Sequence, residues 1–225
     1  MSSKVTLQNP DQRVGTFRTR KHTLPSPQGR RSALIIVNVQ NDYVDSKGSV
    51  TVPNAVNTVA LVNQLRAKVG WDLIAVSQDS HPEGHVSFYT AHMNNPGAQL
   101  NQIYNGLKML PDHCIASSNG AAIHSSLVIE PTDFAILTGE NKSVASYSSF
   151  KDADGSATHL ARVLRQEDIT DVYVCGMGAE GNYLAIVILH ISMLSYFYFV
   201  TLNRCLTNHF INHSRNQFCL SLSVY

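Results

Sequence analysis

The apolar positions along the chain alternate between short continuous runs and stretches with helical spacing. Residues 33–39 form an apolar run broken once by a polar residue, which is typical of a strand buried on both faces of a sheet. Pro53 then begins a stretch whose apolar residues recur at helical spacing. Further strands are predicted at 73–76, 134–137 and 172–175, and a further helix from about 156 to 165.

Strands that alternate with helices predict an α/β fold of three layers, α/β/α, with a mainly parallel sheet in the middle. In such folds ligands bind beyond the carboxyl ends of the strands. The polar residues that follow each strand are therefore the candidates for chemistry. We expect three segments, which are a basic and disordered arm at 1–31, an α/β domain at 32–202 and a divergent tail at 203–225.

The charges are balanced overall but unevenly distributed. With 17 Lys and Arg against 16 Asp and Glu, the net charge of +1 argues against a strongly basic nucleic-acid binder, so no nucleic acid is expected as a partner. The first 31 residues carry almost only basic charges, whereas the chain after Glu180 carries only Arg204 and Arg215. We expect a cytoplasmic protein, because the basic segment contains no apolar signal sequence and the four cysteines have no C-x-x-C spacing. Mitochondrial import is the alternative, since the arm is rich in Arg and poor in acids.

Residues 183–202 form an apolar run without formal charge. Its length would suffice for a membrane span. A helix to about residue 194 followed by a buried strand at 196–202 fits the sheet pattern better, so membrane association is not expected. The absence of acids after Glu180 suggests that the chain departs from its ancestral sequence there, by decay or by a shifted reading frame. Translation of the coding sequence in all three frames would test the frameshift.

The strongest local signal for chemistry is the segment from Asp79 to His85. Asp79 and His81 are two residues apart in a turn stiffened by Pro82, so the carboxylate and the imidazole can share one divalent ion. His85 could join them or could only cap the turn. His113 lies in a second turn that contains proline and is a candidate third ligand, although spacing alone does not connect it to Asp79.

Several motifs in register resemble the nicotinamidase branch of the isochorismatase-like cysteine hydrolases. Residues 33–43 (ALIIVNVQNDY) resemble the first strand and the D-x-Q-N-D-F motif of that family, and residues 48–53 (GSVTVP) resemble G-S-L-x-V-P. Residues 77–88 (SQDSHPEGHVSF) resemble D-W-H-P-x-x-H-x-S-F, and residues 110–114 (LPDHC) resemble W-P-x-H-C. The resemblance covers about residues 32 to 189 and implies the isochorismatase-like hydrolase fold.

The resemblance also implies a metal site and a substrate. One divalent metal ion would be held by Asp79, His81 and His113, with zinc expected first and iron or manganese as alternatives. The family reaction is the hydrolysis of nicotinamide, a pyridine carboxamide, to nicotinate and ammonia in NAD salvage. Tyr43, where the family has Phe, and Val50 would contact the substrate. Isochorismate-type or other amide substrates stay open.

The catalytic positions of the family are substituted in this chain. The family uses an Asp as the base, a Lys as the cation and a Cys as the nucleophile, and the corresponding residues here are Asn38, Thr138 and Asn182. A neutral amide is neither a base nor an acid at neutral pH. Since the loss of one member of a catalytic triad costs roughly 10⁴-fold in rate, we expect hydrolysis to be impaired.

Neighbouring residues offer few replacements for these groups. Cys175 is expected to pack in the core, Cys114 to pack behind the metal, and Lys142 to lie in a solvated loop. Whether the chain is an enzyme therefore stays open. It is an impaired amidohydrolase, a non-catalytic protein that binds a pyridine ligand or a partner subunit, or a decayed product that does not fold stably. Self-association into a homo-oligomer is compatible with the first two.

Overall fold

The computed structural model describes residues 30–177 and 196–199, and these form an α/β fold. The described strands are β1 (Ser32–Val37), β2 (Leu73–Asp79), β3 (Ile103–Tyr104), β4 (Leu107–Lys108), β5 (Phe134–Thr138), β6 (Asp171–Gly176) and β7 (Tyr196–Phe199). The described helices are α1 (Asn41–Val44), α2 (Ala55–Lys68) and α3 (Leu160–Gln166), with a 3₁₀ turn at Tyr89–His92. None of the helices in this part of the chain is long and apolar enough to span a membrane.

Five parallel strands form the main sheet, in the order β5-β2-β1-β6-β7. Strands β3 and β4 form a separate antiparallel pair. The mainly parallel sheet confirms the predicted fold class. In β1, Ala33, Ile35 and Val37 pack with the buried residues of α3, whereas Leu34 and Ile36 pack with those of α2. The sheet therefore lies between two helical layers, and the apolar run in β1 reflects burial on both faces.

The predicted element positions hold, but several boundaries were wrong. Strand β1 ends at Val37 because Asn38 takes a left-handed backbone conformation with φ of 51°. Strand β2 continues to Asp79, three residues beyond its predicted end. Helix α3 begins only at Leu160, because the residues before it pair with another segment of the chain. The amide of Thr158 donates to the carbonyl of Phe150, and Ala157 forms an antiparallel bridge with Lys151.

The predicted tail lies largely outside the described residues. Of the strand expected at 196–202, residues Tyr196–Phe199 form β7, which pairs in parallel with β6. Asn182 and the helix expected after it belong to the part of the chain that is not described. At the other end, Arg30 and Arg31 pair with Asp171 and Glu167, so residues that were assigned to the basic arm contact the folded body.

Candidate metal centre

Three neighbouring strands bring polar side chains together at their carboxyl ends. Asp79 is the last residue of β2, and its direct cross-strand partner is Thr138, the last residue of β5. Asn38 follows β1, and its backbone amide donates to the carbonyl of Ser77 in β2 at 3.0 Å. Because these strands are parallel, their ends lie at one edge of the sheet, where ligands bind in folds of this class.

Asp79, His81 and His113 form a buried cluster at this edge. One potential ligand atom from each residue lies within 4.8 Å of the others. All three side chains are buried, and Asp79 is 7% exposed. The structure thus brings together the three residues that the family resemblance assigns to a metal, including His113, which spacing alone did not connect to Asp79.

Backbone carbonyls orient the two histidine rings of the cluster. Nδ1 of His81 lies 3.0 Å from the carbonyl oxygen of Gly139, and Nδ1 of His113 lies 2.8 Å from that of Pro111. A carbonyl only accepts, so each Nδ1 donates the proton, and in a neutral ring of this tautomer the Nε2 lone pair is left for a metal. Burial lowers the pKa of His81, against the opposing effect of the nearby Asp79 charge. The neutral ring is the form that binds metals.

Gly139 makes room for the ring of His81. A Cβ atom at position 139 would lie 2.2 Å from Cε1 and 2.3 Å from Nδ1 of His81, and the residue has φ of +69°. Both the contact and the backbone conformation therefore require glycine. No motif in the sequence indicated this role for Gly139, although it directly follows Thr138, which the resemblance equates with a catalytic position of the family.

Phe88 packs against the histidines from within the core. It is fully buried, and its ring contacts those of His81, His85 and His113 at centroid distances of 5.5, 5.5 and 5.3 Å. His85 stacks on His81, but its Nδ1 lies 2.8 Å from the Ser87 hydroxyl and its Nε2 lies 3.0 Å from the Val144 carbonyl. With both nitrogens bonded, His85 supports the turn and is not a member of the metal cluster.

The Asp79 side chain accepts three hydrogen bonds. Asn38 Nδ2 and the Tyr43 hydroxyl both donate to Oδ2 at 2.8 Å, and the Thr138 hydroxyl donates to Oδ1 at 2.8 Å. Burial, with the Asp79 charge as the next cause, raises the pKa of Tyr43 well above its usual value, so Tyr43 is a neutral donor. Asn38 and Thr138, which the resemblance equates with two of the family's catalytic positions, are thus part of this site.

Two side chains that the sequence analysis did not single out tie the surrounding loops together. Gln40 is fully buried, accepts from the Asp79 amide at 2.9 Å and donates to the Asp79 carbonyl at 2.7 Å. Asp42 accepts from the amide of Cys114, next to His113, at 2.7 Å. Both belong to the motif at residues 33–43. Their position directly after a buried strand is the signal in the sequence that could have identified them as site residues.

The remaining candidate residues lie around this cluster. Val50 packs on the same apolar cluster as Tyr43, and its amide donates to the Asp42 carbonyl at 3.2 Å. Cys175 is buried in that cluster, as predicted for a core residue, and Cys114, which follows His113, is buried there as well. Lys142 is exposed, with its Nζ 3.2 Å from the place that a Cβ would take on Gly84.

The donor set fits a divalent metal ion. Two imidazoles and one carboxylate are ligands that zinc, iron(II) and manganese(II) accept. A carboxylate has about four acceptor positions, so the three hydrogen bonds to Asp79 leave one for a metal. Among residues 30–177, no lysine or arginine forms an ion pair with Asp79, whose buried charge a bound cation would balance.

Comparison with known proteins places the chain in a family. Residues 32–187 match the model of the isochorismatase domain. The nicotinamidase of Acinetobacter baylyi is 32% identical over 155 residues, which are 68% of this chain and 71% of that protein. The crystal structure of PnC1 from L. infantum in complex with nicotinate has a TM-score of 0.57 and 28% identity, covering 66% of this chain and 67% of that one.

A second solved structure is that of the pyrazinamidase of Pyrococcus horikoshii in complex with zinc. It has a TM-score of 0.51 and 27% identity, and it covers 66% of this chain and 71% of that one. Residues 32–187, which match the family model, include the candidate metal centre. The chain therefore belongs to the isochorismatase domain family, in its nicotinamidase branch.

Proposed function

We propose that this chain binds one divalent metal ion, zinc first, and a small pyridine carboxamide beside it, and that its hydrolysis of nicotinamide is impaired. The observation that supports the proposal is the combination of the buried cluster of Asp79, His81 and His113 with neutral groups at Asn38 and Thr138. The metal ligands are present, whereas the charged groups that the family reaction needs are not.

The impairment follows from the roles of the neutral groups. An amide hydrolase with a cysteine nucleophile needs a base to accept the thiol proton and a positive charge near the thiolate. Asn38 Nδ2 donates to Asp79, and an amide does not take up a proton at neutral pH. The Thr138 hydroxyl also donates to Asp79 and carries no charge. Asn182, which lies outside the described residues, has no nucleophilic group.

Binding of a pyridine ligand is supported by the kind of site that remains. A bound metal ion would supply a positive charge that attracts and orients a pyridine nitrogen. The rings of Tyr43 and His113 meet edge to face at a centroid distance of 5.9 Å, next to the cluster. The related structure from L. infantum contains nicotinate and that from P. horikoshii contains zinc, which supports zinc and a small pyridine ligand as the first combination to test.

The proposal is tested by measuring binding and turnover separately. Calorimetric titration of nicotinamide into the zinc-loaded protein and into the chelated protein measures metal-dependent binding, and release of ammonia measures hydrolysis. The comparison variant restores all three positions together (Asn38→Asp, Thr138→Lys, Asn182→Cys). A His81→Ala variant, which removes one ligand, is the matched control for the role of the metal.

We expect the unsubstituted chain to bind nicotinamide only with zinc and to release no ammonia above the rate of the His81→Ala control. Ammonia release by the unsubstituted chain above the rate of the His81→Ala control, and not below that of an active restored variant, would overturn the impairment. Absence of zinc binding in a chain that melts cooperatively would overturn the metal site. A melt without a cooperative transition would instead favour the decayed product.

A further inference from the structure

Three neutral donors surround the carboxylate of Asp79. Asn38, Tyr43 and Thr138 come from different parts of the chain, after β1, in α1 and at the end of β5, and each donates to Asp79 at 2.8 Å. All three are also positions at which this chain departs from the family motifs. The hydrogen bonding of all three side chains to Asp79 is therefore a feature of this chain and does not come from the family motifs.

The contacts fix the direction in which the carboxylate points. Oδ2 accepts from two donors and Oδ1 from one, so rotation of the carboxylate would break at least one buried hydrogen bond. The donors are held in turn. The Asn38 Oδ1 atom accepts from the Ser77 hydroxyl at 3.1 Å, and Thr138 is fixed by its register opposite Asp79. Groups that hold a ligand in this way tune the metal site without touching the ion.

We propose that Asn38, Tyr43 and Thr138 are positioning residues that hold the Asp79 carboxylate for metal binding. Two of them thus serve the metal site at positions where the family has catalytic residues. This inference rests on the proposed function, since it requires the metal to bind at Asp79. It adds that positions 38 and 138 are coupled through Asp79.

The coupling follows from charge. Asn38 Nδ2 lies 2.8 Å from Asp79 Oδ2, so an aspartate at position 38 would place a second carboxylate oxygen against the first. With a neutral threonine at position 138, the two like charges would lack a cation between them. A lysine at position 138 alone would add a positive charge next to a site that binds a cation. The aspartate alone is therefore unfavourable in the metal-free protein and the lysine alone is unfavourable in the zinc-bound protein, whereas the two charges together balance.

The first test removes single hydrogen bonds and measures zinc affinity by competition with a chelator. Thr138→Val and Tyr43→Phe keep the shape of the side chain and remove the hydroxyl, and we expect each to weaken zinc binding by about 10-fold to 100-fold. Thr138→Ser keeps the hydroxyl and should restore the affinity. Thr58→Val, in α2, is the matched control, because its hydroxyl bonds to the Asn54 carbonyl in its own helix.

Melting of the metal-free variants separates positioning from general damage. If Thr138→Val melts like Thr58→Val without zinc but binds zinc more weakly, the hydroxyl acts on the metal site. If the unsubstituted chain binds zinc, and Thr138→Val and Tyr43→Phe bind it with the same affinity as the unsubstituted chain, this inference is overturned and the proposed function stands. If the unsubstituted chain binds no zinc, the metal site of the proposed function fails and this inference fails with it.

The second test is a double-mutant cycle on zinc affinity with Asn38→Asp, Thr138→Lys and both together. We expect Thr138→Lys alone to weaken zinc binding. The change Asn38→Asp should raise the zinc affinity by a factor at least tenfold larger in the Thr138→Lys variant than in the unsubstituted chain. If the change in zinc affinity of the double variant equals the product of the two single changes, the coupling between the two positions is overturned.

Discussion

Replacement of Gly139 by alanine is expected to displace the ring of His81. The added Cβ would lie 2.2 Å from Cε1 and 2.3 Å from Nδ1 of that ring, whereas carbon atoms in ordinary contact are about 3.5–4.0 Å apart. The obstructed atoms include the nitrogen that bonds to the Gly139 carbonyl. The ring must therefore move, and its Nε2 atom leaves the position from which it could bind a metal ion together with the Asp79 carboxylate.

A second glycine isolates this contact from backbone strain. Gly106 has φ of +80°, close to the +69° of Gly139, but an added Cβ there would meet no atom within 4 Å. Gly106→Ala should therefore cost only the strain of a left-handed conformation, about 1–2 kcal/mol. Gly139→Ala should carry the same strain and should also weaken zinc binding. We expect a loss of about 100-fold, which is the largest effect of mutating residues that contact a metal ligand, because here the ligand itself is displaced.

The zinc-dependent shift in melting temperature measures this loss. Zinc at 100 times the Kd of the unsubstituted chain raises its free energy of unfolding by about 2.7 kcal/mol, and after a 100-fold loss of affinity the same zinc adds about 0.4 kcal/mol. For a chain of this length the two values correspond to shifts of about 5–11 °C and about 1–2 °C. Each variant is melted with zinc and with a chelator, so that its own strain cancels.

A full zinc shift in Gly139→Ala would refute the assignment of His81 as a ligand held by this contact. Loss of the shift in Gly106→Ala to the same extent would refute the reasoning in another way, because backbone strain alone would then explain the effect. The expected result is a full shift in Gly106→Ala and a nearly absent one in Gly139→Ala.

Three further predictions concern stability and reactivity. Asp133→Asn removes the buried carboxylate that accepts from Arg66 Nη2 at 2.9 Å, and should lower the free energy of unfolding in urea by about 3 kcal/mol; a loss below about 1 kcal/mol would contradict it. Burial raises the pKa of Cys175 to about 12, so iodoacetamide at neutral pH should leave this residue unmodified until the protein is unfolded, as read by peptide mass spectrometry; equal labelling of the folded protein would count against this. Burial lowers the pKa values of His81 and His85, so protons bind the unfolded chain first, and the stability of the chelated protein should fall as the pH decreases below about 6.5. A urea midpoint that is constant from pH 7.5 to 5 would be inconsistent with the two neutral buried rings.

The positions of the strands could be predicted from the sequence because both faces of the sheet are covered. Continuous apolar runs then mark the strands, as in β1, whose side chains pack alternately with α2 and α3. The ends of the elements depend on local backbone contacts that apolar spacing does not report. The left-handed Asn38 ends β1, and the pairing of Thr158 with Phe150 delays α3.

The candidate site was predictable in part. Asp79 and His81 are close in sequence, so their spacing indicated a shared ion, whereas His113 required the family resemblance because a separate loop carries it. The exclusion of His85 depends on partners for both ring nitrogens, at Ser87 and Val144, which no spacing reveals.

The contacts of Asn38, Tyr43 and Thr138 agree better with the proposed binding site than with a decayed product in the described part of the chain. Random substitution in a buried polar site is expected to leave polar groups without partners, each at a cost of about 1–3 kcal/mol. Among the described residues, the buried side-chain atoms without a partner do not include any atom of Asn38, Tyr43 or Thr138. Instead all three donate to the same carboxylate. Relative to the aspartate and lysine that the family resemblance implies at positions 38 and 138, the neutral residues remove one charge of each sign and leave the net charge of the site unchanged, which agrees with the proposal that the metal site is retained while hydrolysis is impaired.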